Sequence, residues 1–244
     1  MAESTYAVRE GKDGRKELVF PNSAGGITTA VYPFLEPANY QTIFNPANFK
    51  GDVRMPTGVD CADFVYAIYC GPEEFRNKPE VEEARCKMKE SWLYVPNVNI
   101  WTPKSFGDRH GVYVVFDEKG LGTNFIFDQN ELETRLSQGE EVMPGVILAN
   151  GVGFAHRKTY KCREQTPEEL ARNGYMVLNY TLKGAEKLAE VSTTFSRKSY
   201  AWIVDNPIEV VKSVSGLDDN NNRIGIDGNN DGCSSGAFSF GVCR

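Results

Sequence analysis

Two groups of residues in this 244-residue chain have types suited to chemistry. The first centres on Cys61, in GVDCADFVYAIY from Gly58 to Tyr69, directly after Asp60, an acid suited to capping a helix. A thiol at a helix N-terminus feels the positive end of the macrodipole, which favours thiolate and hence nucleophilicity. A cysteine in an apolar helix also serves as a small buried hydrophobe, and both readings stand here. The second group is the closing stretch DDNNNRIGIDGNNDGCSSGAFSFGVCR, Asp218 to Arg244, with four Asp, five Asn and five Gly in twenty-seven residues. Within it DGNNDG offers oxygens at its first, third and fifth positions (Asp227, Asn229, Asp231) and Gly232 at the sixth, the opening pattern of a calcium loop. The twelfth position, where a bidentate acid belongs, is Phe238, and no helix pattern follows, which excludes the helix–loop–helix calcium motif. Three readings stay open: a looser calcium site from Asp218, Asp219, Asp227 and Asp231, metal-free turns, or a polar ligand-binding surface.

The elements that would position these residues follow from pattern. Apolar residues make up 41% of the chain and aromatic ones 11%, enough to bury a core. Strand-like runs begin at Leu18 and Ile27, separated by the breaker PNSAGG. Helical spacing appears from Asp60, and again from Glu73 to Trp92 with Pro79 near the start of its better half. Short strands are expected at LYV from Leu93, VNIW from Val98, GVYVVF from Gly111 and NFIF from Asn124. Asp128 caps a short helix in DQNELETRL, and TPEELARNG has Thr166 at the N-cap, Pro167 at the first helical position and Gly174 past the end. YMVLNY from Tyr175 reads as a strand, Lys183 to Val191 as a helix, and YAWIVD, IEVVKSVS and AFSFGV as strands. A chain ending in strand needs a partner strand, so the Asn/Asp/Gly segments are expected as ordered loops between strands rather than a disordered tail. The fold class is α+β, mixed, with a β-rich C-terminal part.

Charge and cysteines set limits on partners. The formal charge of −6, from 33 acidic and 27 basic residues without a basic run, gives no electrostatic footprint for nucleic acid or an anionic bilayer. The N-terminus MAESTYAVRE lacks a signal-peptide core, and no stretch approaches about eighteen uninterrupted apolar residues. The expectation is a soluble chain without membrane insertion, cytoplasmic or virion-associated. Six cysteines (Cys61, Cys70, Cys86, Cys162, Cys233, Cys243) form no dense framework and no C-x-x-C pair, so most should be free thiols, with the Cys233–Cys243 pair left open. His156, in GFAHRKTY beside two cations, reads as a surface residue.

Two family resemblances attach to these residues. The tryptophan strand at YAWIVD, the second strand, the Asn/Asp/Ser/Gly segments and the closing SFGVCR resemble the C-terminal half of C-type-lectin-like modules, including the variable proteins of diversity-generating retroelements. That resemblance covers about the last fifty residues and implies a rigid scaffold displaying exchangeable side chains, with NNDGC and Cys243 similar to the closing cysteine pair of lectin domains. The segment around Cys61 resembles the nucleophile motif of NlpC-type papain-like hydrolases, and HGVYVV from His110 that family's base-bearing strand. This second resemblance implies Cys61, His110 and Asn124 as nucleophile, base and orienting group.

The leading reading is a non-enzymatic ligand-binding protein. Short polar side chains lose little rotamer entropy on binding, and nearby Tyr200, Trp202 and Arg223 supply contact area. Its ligand-facing set is Asn220, Asn221, Asn222, Arg223, Asp227, Asn229, Asn230, Asp231, Ser234 and Ser235, with Tyr200 and Trp202 beneath or beside. Residues 1–100 would serve as an attachment or assembly part and 101–244 as the ligand-binding part. The expected partner is a protein or a cell-surface glycan, with no cofactor beyond the open calcium question, and self-association into a homo-oligomer is compatible. The alternatives are the cysteine hydrolase and a virion structural or receptor-binding protein.

Overall fold

Helices form where the sequence supplies caps. In the computed structural model, whose described residues are 5–11, 13–116, 127–232 and 236–244, the first long helix is α1 (Gly58–Cys70). Its cap is Thr57, whose hydroxyl accepts from the Asp60 amide at 3.2 Å while the Asp60 carboxylate accepts from the Thr57 amide at 2.7 Å. This reciprocal capping box is worth about 1 kcal/mol. Arg54 grips the same carboxylate with two nitrogens at 2.6 and 3.0 Å. The helical stretch expected from Glu73 divides into a short turn, Glu73–Arg76, and α2 (Pro79–Glu90), because Pro79 fits only the first position of a new helix. Asp128 and Thr166 cap the short helices Gln129–Leu136 and Pro167–Ala171, as their spacing predicts.

One element differs in type. YMVLNY is not a strand but the first half of α3 (Gly174–Ser192). Gly174 does not end the preceding helix; Asn173 caps α3 by accepting from the Tyr175 amide at 3.0 Å. All seven residues from Gly174 to Tyr180 are buried, so no polar face marks the helical period. Thr181, at φ 63° and ψ 171°, interrupts α3 in a region that residues with a Cβ avoid.

The strands, in chain order, begin with β1 (Ala7–Glu10), β2 (Lys16–Pro21), β3 (Ile27–Tyr32), β4 (Leu35–Ala38), β5 (Val53–Arg54), β6 (Trp92–Thr102), β7 (Gly111–Val115) and β8 (Glu140–Met143). They continue with β9 (Val146–Ala149), β10 (Val152–His156), β11 (Arg163–Gln165), β12 (Ser199–Trp202), β13 (Val211–Asp219), β14 (Ile224–Asn230), β15 (Ala237–Ser239) and β16 (Val242–Cys243). The smaller sheet runs β1-β2-β3-β16-β5, and the larger β11-β12-β14-β13-β6-β7-β10-β9-β8, with β15 joining β6 to β4. Pairing is antiparallel except between β12 and β14 and between β15 and β6. The chain is α+β.

Position 100 lies inside β6, which pairs along its length with β13 and β7. The last two strands pair with β4 and with β3 and β5, so both ends of the chain share the same sheets. Phe64 on α1 joins these ends, its ring centroid lying 6.2 Å from that of Phe20, 5.6 Å from that of Phe34 and 4.5 Å from that of Phe240. Such ring pairs add about 0.5–1.5 kcal/mol each beyond area burial. Cys61, Cys70, Cys86, Cys162 and Cys243 are free thiols; the Cys243 thiol lies 3.4 Å from Glu17 Oε1, and Cys233 lies outside the described residues.

Candidate functional site

The C-terminal polar segment is built on strand alternation. Ile224 and Ile226 on β14, Leu217 on β13 and Ala201 on β12 all point into the core, at 2% exposure or less. The intervening residues therefore share the outer face. Register places Tyr200, Gly225 and Asp218 side by side across the three strands, with Trp202, Asp227 and Gly216 in the next row. IGIDGNN is thus a strand rather than the expected loop, because Ile224 and Ile226 give it period-two apolar spacing.

On this face Arg223 lies over two rings, its guanidinium carbon 4.6 Å from the Tyr200 centroid and 5.0 Å from that of Trp202. The two rings are 4.2 Å apart, and Trp92 from β6 meets Trp202 edge-on at 6.5 Å. A desolvated cation–π contact is worth about 2 kcal/mol. Arg223 is 8% exposed, whereas Tyr200 and Trp202 are half-buried and present ring surface to solvent. Gly225 permits the arrangement: a Cβ there would overlap Asp218 Oδ1 and stand 3.0 Å from the Trp202 ring.

Below the rings lies a buried acidic layer. Burial, with the negative charges of Asp227 and Asp219, pushes the Asp218 carboxyl up to about 7, and its Oδ1 has no hydrogen-bond partner among the described residues. Burial raises Asp227 to about 6, although its Oδ1 accepts from the Asn229 amide at 2.8 Å. Further support comes from buried polar side chains: the Ser213 hydroxyl accepts from Trp101 Nε1 at 2.7 Å and donates to the Gly228 carbonyl at 2.6 Å. Tyr175 Oη and Ser215 Oγ are 2.6 Å apart. These bonds tie β6, β13, β14 and α3 together behind the surface.

The asparagine run is the hairpin turn between β13 and β14. Asn221 and Asn222 have φ of 54° and 60°, the two successive left-handed residues of a turn matched to strand twist, and the Asn220 amide donates to the Arg223 carbonyl at 3.0 Å. Both Asn221 and Asn222 are exposed, and Asn220 is half-buried. Asn229 and Asp231 are exposed at the other end of β14. Asn230 is tied inward, accepting from Tyr94 Oη at 3.3 Å and from the Gly232 amide at 2.8 Å. Ser234 and Ser235 lie outside the described residues. The segment is therefore divided: Asn221, Asn222, Asn229 and Asp231 face solvent, while Arg223 and Asp227 are structural partners within the fold.

The four carboxylates considered for calcium do not meet. Alternation sends Asp219 to the opposite face from Asp218, where its carboxylate accepts from Tyr69 Oη at 3.0 Å. Among the described residues no three acidic, histidine or cysteine side chains converge as a metal site.

The Cys61 expectation is corrected. Thr57 rather than Asp60 is the cap, so Cys61 lies a full turn inside α1 with 0% exposure. Burial, reinforced by the Asp60 charge, pushes its thiol well above the ordinary value, opposite to thiolate activation. His110 precedes β7, its ring held below the usual range by burial and by Arg157, with Nε2 buried and without a partner among the described residues. No hydrogen bond joins it to Cys61, and Asn124 lies outside the described residues. His156 caps a short turn, its Nδ1 accepting from the Lys158 amide at 3.1 Å.

Sequence reasoning missed Trp92, whose distance along the chain hides its place beside Trp202. It also missed a cavity on the opposite face of the hairpin, lined by side chains of α1 and α2 together with Asp219, Asn221 and Asn222. Among the described residues no helix is long and apolar enough to cross a membrane.

No family model matches the chain, and no curated protein matches it. Among solved structures it is similar to one described as the accommodation of massive sequence variation in Nanoarchaeota by the C-type lectin fold. The two are 12% identical with a TM-score of 0.47, over 86% of this chain and 95% of that one.

Proposed function

We propose that the chain is a non-enzymatic binding protein that presents the outer face of its β12–β14–β13 region to a protein or glycan partner. The observation that carries this reading is the half-exposed Tyr200–Trp202 platform, braced from behind by Arg223 and rimmed by outward-facing Asn221, Asn222, Asn229 and Asp231. Rigid aromatic area surrounded by short polar side chains gives contact at small entropic cost. The buried hydrogen bonds behind it support preorganisation, which reduces the cost of binding further. Exchangeability of the surface, as in a diversified binding protein, belongs to the same proposal and concerns Asn229 and Asp231 most directly.

The test is a binding screen of the full chain against a glycan array and a library of displayed surface proteins, repeated with Trp202→Ala. A partner recognised by the native chain should lose about tenfold or more in affinity with the variant, as expected for an aromatic anchor, at an unchanged fold by circular dichroism. Equal binding by both proteins would remove the platform from the interface.

A further inference from the structure

The hairpin turn has a second side. There a cavity of about 570 Å³ opens between the turn, the C-terminal half of α1 and the outer side of α2, within the range of about 300–1,000 Å³ usual for small-molecule sites. Three cations line it, Arg76, Arg85 and Lys89, facing a single carboxylate, Asp219. They gather at one place in a chain whose formal charge is −6.

Their fixation is explained by α1. Arg76 Nε donates to the Gly71 carbonyl at 2.9 Å and Arg85 donates to the Ile68 carbonyl at 3.0 Å, both at the negative end of that helix. Each guanidinium has five N–H donors, so one such anchor leaves four for a ligand. Lys89 is exposed, and none of the three cations lies within ion-pair distance of a described carboxylate. Asp219 is occupied by Tyr69, which donates to it. Convergent, anchored and unpaired cations call for an oxyanion, and guanidinium forks match carboxylate, sulfate and phosphate geometry.

The other walls narrow the ligand class. The rings of Tyr69 and Phe195, centroids 5.2 Å apart, give an apolar flank. Asn221 Nδ2 donates to Asn220 Oδ1 at 2.7 Å and Asn222 Nδ2 to Ser196 Oγ at 2.5 Å, which leaves each carbonyl oxygen as an acceptor at the cavity rim. Water serves these exposed acceptors in the free protein, and a ligand that displaces it keeps the bonds only by bringing a donor, which a fully ionised oxyanion group lacks. Hydroxyl groups on the same molecule would supply it. We propose that this cavity binds a hydroxylated oxyanion, a sugar or polyol carrying a carboxylate, sulfate or phosphate. It shares Asn221 and Asn222 with the surface of the proposed function but does not need the aromatic platform on the other face.

The experiment is a calorimetric titration of the full chain with N-acetylneuraminic acid, N-acetylglucosamine 6-sulfate and glucose 6-phosphate, the three arms separating the sources of the anion. Neutral N-acetylglucosamine, inorganic sulfate, inorganic phosphate and a glutamate-rich peptide serve as comparators. At least one anionic sugar should bind saturably, more tightly than its neutral or inorganic counterpart. Lys89→Glu, on an exposed side chain whose change spares the fold, should weaken it about tenfold, the effect of about 1.4 kcal/mol. Arg85→Gln should weaken it comparably, and Trp202→Ala should leave it unchanged. The proposal is overturned if no anionic sugar binds, if the inorganic ions bind as tightly as the sugars, or if the acidic peptide binds better than all of them. Native affinity in Lys89→Glu and Arg85→Gln would overturn it too. Loss of sugar binding in Trp202→Ala would assign the sugar to the platform instead, leaving the proposed function standing while this site falls. Loss of partner binding in that variant with sugar binding intact separates the two in the other direction.

Discussion

Asp218 and Asp219 are adjacent in sequence, lie at the end of the same strand and are each 7% exposed, yet they occupy opposite chemical settings. Asp218 sits under Trp202 and Arg223 beside a second buried acid, and burial with that like charge pushes its carboxyl to about 7. Asp219 faces the helices, where burial raises its carboxyl but Tyr69 and Lys89 oppose the rise. Equal residue exposure therefore does not mean equal cost; the Asp218 carboxyl is the more deeply desolvated of the two, and the neighbouring charges and hydrogen bonds widen the difference. One face of the hairpin stores a penalty on negative charge beneath an aromatic platform, and the other collects positive charge around a cavity.

The sharpest way to break this contrast is pH. A carboxyl raised in the fold from 3.8 to about 7 favours the folded state while protonated in both states, below about pH 4. That advantage is lost as pH rises through about 6 and 7, the folded values of Asp227 and Asp218. At about 1.4 kcal/mol per pH unit between the unfolded and folded values, ionisation by pH 8 destabilises the fold relative to acid conditions by roughly 4 kcal/mol at Asp218 and roughly 3 kcal/mol at Asp227. The pair together costs less than the two combined, because the charge of Asp227 is part of what raises Asp218. Asp218→Asn keeps the shape and removes the charge, so its urea midpoint should exceed the native one at pH 8 and converge with it near pH 4. Asp219→Asn should show the same sign with a smaller gap, because Tyr69 can still donate to the amide oxygen. Parallel pH profiles for native and Asp218→Asn chains would show that the acid beneath the platform is solvated, and the contrast between the two faces would disappear.

Packing offers the next test. Gly225→Ala places a methyl group against Asp218 Oδ1 and the Trp202 ring and should destabilise by about 1–3 kcal/mol through overpacking. Gly216, in the neighbouring row, leaves a Cβ 3.4 Å from the Trp92 ring, so Gly216→Ala should be milder. Thermal unfolding followed by near-ultraviolet circular dichroism reads both stability and the tryptophan environment. If Gly225→Ala unfolds like the native chain with an unchanged aromatic signal, the rings do not lie against β14 as described.

These expectations also show which parts of the fold the sequence carries openly. Local signals did: Asp128 and Thr166 cap helices because a side-chain oxygen two or three residues from free amides acts without tertiary help. The Asn run was legible as polar turn chemistry for the same reason, although its precise role as a two-residue hairpin needed the flanking strands. YMVLNY failed because a helix buried on all sides has no polar face, and its aromatic and β-branched content then imitates a strand. The thiolate reading of Cys61 failed because Thr57, not Asp60, is the cap and because the sequence does not show the layers that close over the thiol, which is the small buried hydrophobe of the other reading. Arg223 and Asp227 read as surface beside Tyr200 and Trp202, but both are buried, Arg223 against those two rings, which period-two spacing alone does not reveal. Arg85 and Lys89 share one face of α2 at a spacing of four, but Arg76 comes from the preceding turn and the opposite wall from the β13–β14 hairpin, so only packing assembles the cavity.

The smallest expected effects separate the exposed asparagines from one another. Asn222 is exposed but left-handed, so Asn222→Ala should cost about 1 kcal/mol in backbone strain, while Asn222→Gly should be close to neutral. Asn229 is exposed in extended backbone, and its own amide, not its side chain, is what Asp227 uses. Asn229→Ala should therefore change stability by less than about 0.5 kcal/mol. The same holds for a set of varied residues at that position, read by melting temperature across the set. A surface built for exchange requires this tolerance at Asn229 together with the restriction at Asn222, since the turn fixes the register on which the platform depends. Wide scatter in melting temperature at Asn229 would mean that its side chain holds the strand end in place, and the exchangeable part of the proposed surface would shrink toward Asp231.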